Sequence, residues 1–193
     1  MNKPNLLRTS VFVATIGLLP ATASAHSLDA HVHGEANMAI VIDGKDVSIS
    51  LMSPMFNITG FEHAPETDEQ RGALETAMSL LDDSAQLFEI NASAECTPVS
   101  AHHSLSAEEE QSDPAENSED DAEGEEAHHH NHRDLEAEYA YSCQSPSKLS
   151  SIKLVMFDQF QNLQKVKVVI LAGNNQSAAE LTPEQEMLSL AGS

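Results

Sequence analysis

Basic residues are scarce: nine Lys and Arg stand against 31 Asp and Glu in 193 residues, a formal charge of −22. Such a chain repels nucleic acid and anionic lipid, and it attracts cations and basic partners. Cysteine is almost as rare. Cys96 and Cys143 are the whole complement, with no Cys-x-x-Cys spacing, which disfavours a thiolate metal site. No apolar run is long enough for a lasting membrane span, so no stable membrane anchor is expected. The sequence has no His-Glu-x-x-His, no Gly-x-Ser-x-Gly and no phosphate-cradling glycine loop. Nothing in it favours an enzyme.

What is present begins with a leader pattern. Lys3 and Arg8 precede an apolar stretch from Val11 to Leu19, and Ala23-Ser24-Ala25 follows. A charged start, a short apolar middle and a small-residue end describe a secretory signal peptide over residues 1–25. Cleavage after Ala25 leaves 168 residues from His26 on, with a charge of −24, enough for one domain with its own core over residues 26–193. With no sorting or lipidation signal, a bacterial periplasm is the expected destination. An even cysteine count in an exported chain points to one Cys96–Cys143 disulfide. Closing a loop of roughly 48 residues, it contributes about 4 kcal/mol in the chain-entropy model.

Between the cysteines lies the oddest stretch. From Ala107 to Ala127 there are eleven acidic residues, no basic ones, and alanine as the single apolar type. Such a segment buries too little apolar surface to offset the entropy of ordering it, so residues 104–132 are expected to form a flexible loop. It ends in His128, His129, His130 and His132 and is preceded by His102 and His103. Imidazole is a common ligand for zinc, copper and nickel. Four histidines beside eleven carboxylates make a multidentate cation trap, each of its sites weaker than a preformed one.

The remaining chain reads as short strands around one helix. Ala36–Ile42 alternates toward Met38, Ile40 and Ile42, Asp43-Gly44 signals a tight turn, and Val47, Ile49 and Leu51 alternate again. Pro54 and Asn57-Ile58-Thr59-Gly60 are expected to end that strand. Thr67 with Gln70 forms a capping box, and Leu74, Ala77, Met78 and Leu81 follow at helical spacing, predicting a helix over 68–82. Further strands are expected at Gln86–Ile90, Cys96–His103, Leu135–Cys143, Ser151–Phe157, Lys165–Ala172 and Ser177–Leu181, with a turn or helical piece at 158–163 and a polar tail after Pro183. The fold class is α+β: a single domain with a largely antiparallel sheet of short strands, one main amphipathic helix and the His/acid-rich loop.

Several strings resemble one family. They are His31-Val32-His33-Gly34-Glu35-Ala36-Asn37, Ser53-Pro54-Met55-Phe56-Asn57-Ile58-Thr59-Gly60-Phe61-Glu62-His63-Ala64-Pro65, Tyr139-Ala140-Tyr141-Ser142-Cys143 and Gln176 through Pro183. They are similar to the ZrgA-type periplasmic zinc-uptake proteins, which also carry a variable histidine- and acid-rich insertion between two cysteines. The resemblance implies a periplasmic zinc-binding protein that assists zinc import under scarcity.

Two candidate metal sites follow. The first is an ordered one. His31 and His33 are two apart, so on an extended segment both rings point to one face. His63 is the expected third ligand. Glu35, on the same face unless Gly34 breaks the strand, and Glu62 are each a fourth ligand or an acceptor that orients an imidazole. His102 or His103 could complete the set, since alternate members of a strand share a face. The bland alternative is that these are surface histidines and a loop hydrogen-bond donor. The second candidate is the run His128, His129, His130 and His132, whose bland alternative is a solvated, tag-like tract. Met52 and Met55 are three apart, and thioethers favour copper(I), but core filling explains them better. The reading is a non-catalytic zinc-binding protein that captures zinc and assists its uptake or its delivery to an importer's periplasmic binding protein. The alternatives are a copper or nickel buffer and a protein-interaction module whose acidic loop docks a basic partner. Zinc needs neutral imidazole, so acidification through roughly pH 6.5 weakens capture.

Overall fold

The computed structural model describes residues 32–106 and 133–190. Strands β1 (Glu35–Asp43) and β2 (Asp46–Pro54) form a hairpin across Gly44-Lys45. Gly44 takes φ +60°, the left-handed value that a mirror-image hairpin turn requires at its first position. Helix α1 (Met55–Thr59) follows at once, and Gly60 at φ +86° ends it. The expectation that this stretch merely closes a strand is therefore corrected. Pro54 is the last residue of β2 and leads into a helical turn, as proline's fixed φ allows at a helix start.

Helix α2 (Asp68–Asp82) is the expected one. The Thr67 hydroxyl accepts from Gln70 N at 3.2 Å, and Gln70 Oε1 accepts from Thr67 N at 3.2 Å. It buries Ala77 and Leu81 against the sheet. Next come β3 (Phe88–Ile90), β4 (Cys96–Leu105), β5 (Asp134–Cys143) and β6 (Ser151–Leu154). Helix α3 (Met156–Gln159), β7 (Lys165–Ala172), β8 (Asn175–Leu181) and β9 (Met187–Ser189) complete the chain. Three further expectations are adjusted. Met156 and Phe157 belong to α3 rather than to a strand, and β9 lies inside the expected polar tail. Ser104 and Leu105, counted with the loop, extend β4 opposite Glu136 and Leu135. The rest of that loop, 107–132, lies outside the described residues, as does the leader.

Two sheets result. The larger has the order β4-β5-β2-β1-β7-β8 and is antiparallel except for the parallel pair β1–β7; the smaller is β3-β6-β9. Strand alternation sorts the larger sheet's side chains. Met38, Ile40, Val47, Ile49, Leu51, Leu135, Ala137, Tyr139, Val166, Val168 and Ile170 face one continuous core. Phe88 of the small sheet meets Tyr139 edge-on, with ring centroids 5.2 Å apart. Among the described residues no helix is long and apolar enough to cross a membrane.

The register fixes what gathers at each end of the large sheet. One end carries the Gly44-Lys45 turn and the Cys96–Cys143 disulfide, whose residues sit directly opposite each other in the β4–β5 ladder. The other end collects the start of β1, the end of β2, the start of β5, the end of β4 and the start of β7. Residues 107–132 are therefore joined to the tip of a hairpin whose base is stapled.

Candidate metal centre

At that second end the chain enters β1 through a turn. Glu35 N donates to Val32 O at 3.0 Å, and Gly34 stands at φ +88°. Gly34 thus breaks the extended path before β1. His33 lies in the turn, not on a strand, and the two-residue rule does not place it on a face with Glu35. His31 lies outside the described residues.

A buried asparagine holds the turn. Asn57, fully buried in α1, accepts from Gly34 N at 2.6 Å through Oδ1, and its Nδ2 donates to Glu35 O at 2.8 Å and to Ser53 Oγ at 3.0 Å. Gly34 O in turn accepts from Gln164 N and Lys165 N. Three of the four hydrogen-bonding positions of the Asn57 amide are used, so its side chain ties the His33 turn to α1. The His33 ring lies flat on Phe56, with centroids 4.4 Å apart and planes 14° from parallel.

His33 Nε2 donates to Glu62 Oε1 at 2.8 Å. A carboxylate accepting at Nε2 favours the tautomer whose lone pair is on Nδ1, the arrangement in which a second partner orients a ligating imidazole. Next in sequence, His63 Nδ1 donates to Ala64 O at 2.7 Å, because a carbonyl can only accept. The exposed His63 ring therefore carries its lone pair on Nε2. The Phe61 ring flanks it at 5.4 Å. Thr59 Oγ1 donates to Phe61 O at 2.8 Å, and Asn162 Nδ2 donates to Phe56 O at 3.3 Å, binding this loop back onto α1.

Glu35 has other company. Lys167 at 2.7 Å and Lys165 at 3.1 Å hold its carboxyl below the usual range, chiefly through their hydrogen bonds. His102 and His103 fall on opposite faces of β4. His102, opposite Glu138, is exposed, whereas His103, opposite Ala137, is on the core side, with Asp82 Oδ1 3.4 Å from its Nδ1. Three strand spacings separate β4 from β1, about 14 Å. Met55 is buried in the core and Met52 points to the other face, so the two thioethers do not form a pair. His128, His129, His130 and His132 lie outside the described residues. Among the described residues no three His, Cys, Asp or Glu side chains converge on a metal-sized space. What the fold brings together is His33 with Glu62, and His63 on the same short loop.

A family model described as "ZrgA family zinc uptake protein" matches residues 30–190. The chain belongs to the ZrgA family. No curated protein matches it. The match runs through the His33 turn, the Glu62-His63 loop, the disulfide and the acidic insertion, so the family description applies to this domain and gives it a zinc-uptake role.

The sequence picked out His33, Glu62 and His63 as ligands but gave no positioning role to Asn57 and Phe56, which lie in the family string, and did not single out Asn162. The one sequence signal was Asn57 in a short apolar run, a polar residue where a core residue would otherwise stand.

Proposed function

We propose that this ZrgA-family protein captures zinc outside the cytoplasm and passes it toward an importer's periplasmic binding protein, without catalysing a reaction. His33 and His63 are the scaffold's own ligands. Glu62 either orients His33 or joins the ligand set. His31, two residues ahead of His33, is the natural addition from the leader-proximal side. The acidic tract with His128, His129, His130 and His132 gathers the cation.

One observation carries this reading: the insertion is rooted at the sheet end that bears the His33 turn. Ser106 N donates to Asp134 O at 2.8 Å, Asp134 N donates to Ser106 Oγ at 2.8 Å, and Met55 N donates to Arg133 O at 2.8 Å. These bonds tie both roots to α1 and β2, about two to three strand spacings, roughly 10–14 Å, from the start of β1. His132 adjoins Arg133, and His128 is five residues away, a contour of at most about 18 Å. The histidine run is thus tethered within reach of His33 and His63.

Isothermal titration with zinc tests the reading on three chains: the mature protein, the His33→Gln/His63→Gln variant, and a deletion of residues 107–132. Loss of the tightest binding in the double variant, with fewer total sites in the deletion, is expected. If the double variant keeps the full affinity of the intact chain, the scaffold site is wrong. If the deletion keeps the full stoichiometry, the collecting role of the insertion is wrong. The metal carried by protein purified from its own compartment separates zinc from copper or nickel, because copper(II) outcompetes zinc at most nitrogen sites in vitro.

A further inference from the structure

A second polar cluster lies where the C-terminal end of α2 meets the edge strand β4. Asp82 is the last residue of α2 and Asp83 caps it, and the final turn holds no basic residue. A helix C-terminus bears the negative end of the backbone dipole, so a carboxylate there is at the unfavourable end and a cation is stabilised. The side chain opposite Asp82 is His103, neither Lys nor Arg.

Among the described residues His103 Nδ1 is buried and has no hydrogen-bond partner, although Asp82 Oδ1 pairs with it as an ion at 3.4 Å. Buried polar nitrogens without a partner are uncommon and cost about 1–3 kcal/mol. The separation is long and misaligned for a hydrogen bond. It does match another geometry. Two ligands bound at 2.0–2.1 Å in a tetrahedron are about 3.3–3.4 Å apart. The Asp82–His103 gap, within ordinary ion-pair range, equals the edge of such a tetrahedron.

Tyr139, on the same face of the neighbouring strand and diagonal to His103, has a buried hydroxyl with no hydrogen-bond partner among the described residues. Burial pushes the Tyr139 phenol well up, and the charges of Tyr141 and Asp82 add to the effect.

We propose that Asp82 and His103 form a second, exchangeable zinc site, completed by water, at the junction of α2 and β4. A site with only two protein ligands is weak and releases its ion readily, as a transfer position requires. His103 is three residues from Ser106, where the insertion begins, so the site lies at the root of that segment yet about 14 Å from the His33 turn. It needs neither His33 nor His63.

The test is zinc titration of the full mature chain in the His33→Gln/His63→Gln background, adding Asp82→Asn or His103→Gln. Each addition is expected to remove one weak equivalent, with an affinity loss above the about 10–100-fold that outer partners of a metal typically cost. Without metal, Asp82→Asn is expected to keep or raise Tm, since it removes a charge from the wrong helix end; this keeps the result separable from misfolding. Anomalous scattering at the zinc edge provides the second reading, expected as a peak between Asp82 and His103. Unchanged stoichiometry in both variants, or no peak there in crystals that show zinc elsewhere, overturns the site and leaves the His33 proposal standing.

Discussion

Asn57 accepts a 2.6 Å hydrogen bond from the backbone N–H of Gly34, across 23 residues of chain. That bond, with its companion to Glu35 O, decides where the His33 ring stands. Asn57→Ala would leave the buried Gly34 N–H without this acceptor and take one donor from the half-buried Glu35 carbonyl. A loss of about 2–4 kcal/mol by urea unfolding is expected. Zinc affinity should fall even below the transition, because the turn is no longer fixed. Asn57→Asp keeps the acceptor but loses the donor, and it should be no better than alanine at neutral pH.

Gly34 offers a cleaner probe of the same turn. A Cβ there would meet Gln164 at 3.5 Å, an ordinary contact, so the obstacle is the φ of +88° alone. Gly34→Ala is expected to cost about 1–2 kcal/mol. Differential scanning calorimetry should show a lowered Tm with an unchanged circular dichroism spectrum.

How much of this was legible beforehand varies with the range of the interaction. The α2 boundaries could be read because Thr67 and Gln70 are three residues apart and settle the cap between themselves. The β1–β2 hairpin could be read because Asp43-Gly44 sits between two alternating runs. The parallel pairing of Glu35 with Lys165 left no local trace, since 130 residues separate the strands. Helix α1, five residues long, is too short for a period to show, so the role of Asn57 stayed hidden. His102 and His103 could be assigned to opposite faces by alternation, but only the α2–β4 packing shows that His103 meets Asp82.

The two tyrosines predict an alkaline limit. Burial raises both Tyr139 and Tyr141, the latter against the opposing effect of its bond to Ser84 O at 3.3 Å. Phenols ionise more easily in the unfolded chain, so the stability they contribute is complete at neutral pH and is lost as pH climbs past about 10. The chain has no tryptophan, so absorbance at 295 nm reports these two groups. Tyrosinate should appear together with loss of ellipticity; titration of both phenols in a still-folded protein would contradict the burial argument.

The disulfide should act on stability and not on metal. Cys96 and Cys143 close 47 residues of separation at the sheet end opposite the His33 turn. Replacing both by serine is expected to cost about 4 kcal/mol. Zinc affinity at temperatures well below the new transition should stay within about twofold. A collapse of affinity in the folded variant would show that the two ends of the sheet are coupled.

Because β4 and β5 are clamped at their base and, past a register shift between Pro98 and Ser100, paired out to Leu105 and Leu135, the tip can accept inserts of very different size. Each doubling of a flexible insert adds only about 0.6 kcal/mol of closure cost. Evolution can therefore swap this cartridge, lengthening it or enriching it in imidazole, while the host sheet underneath keeps its pairing untouched.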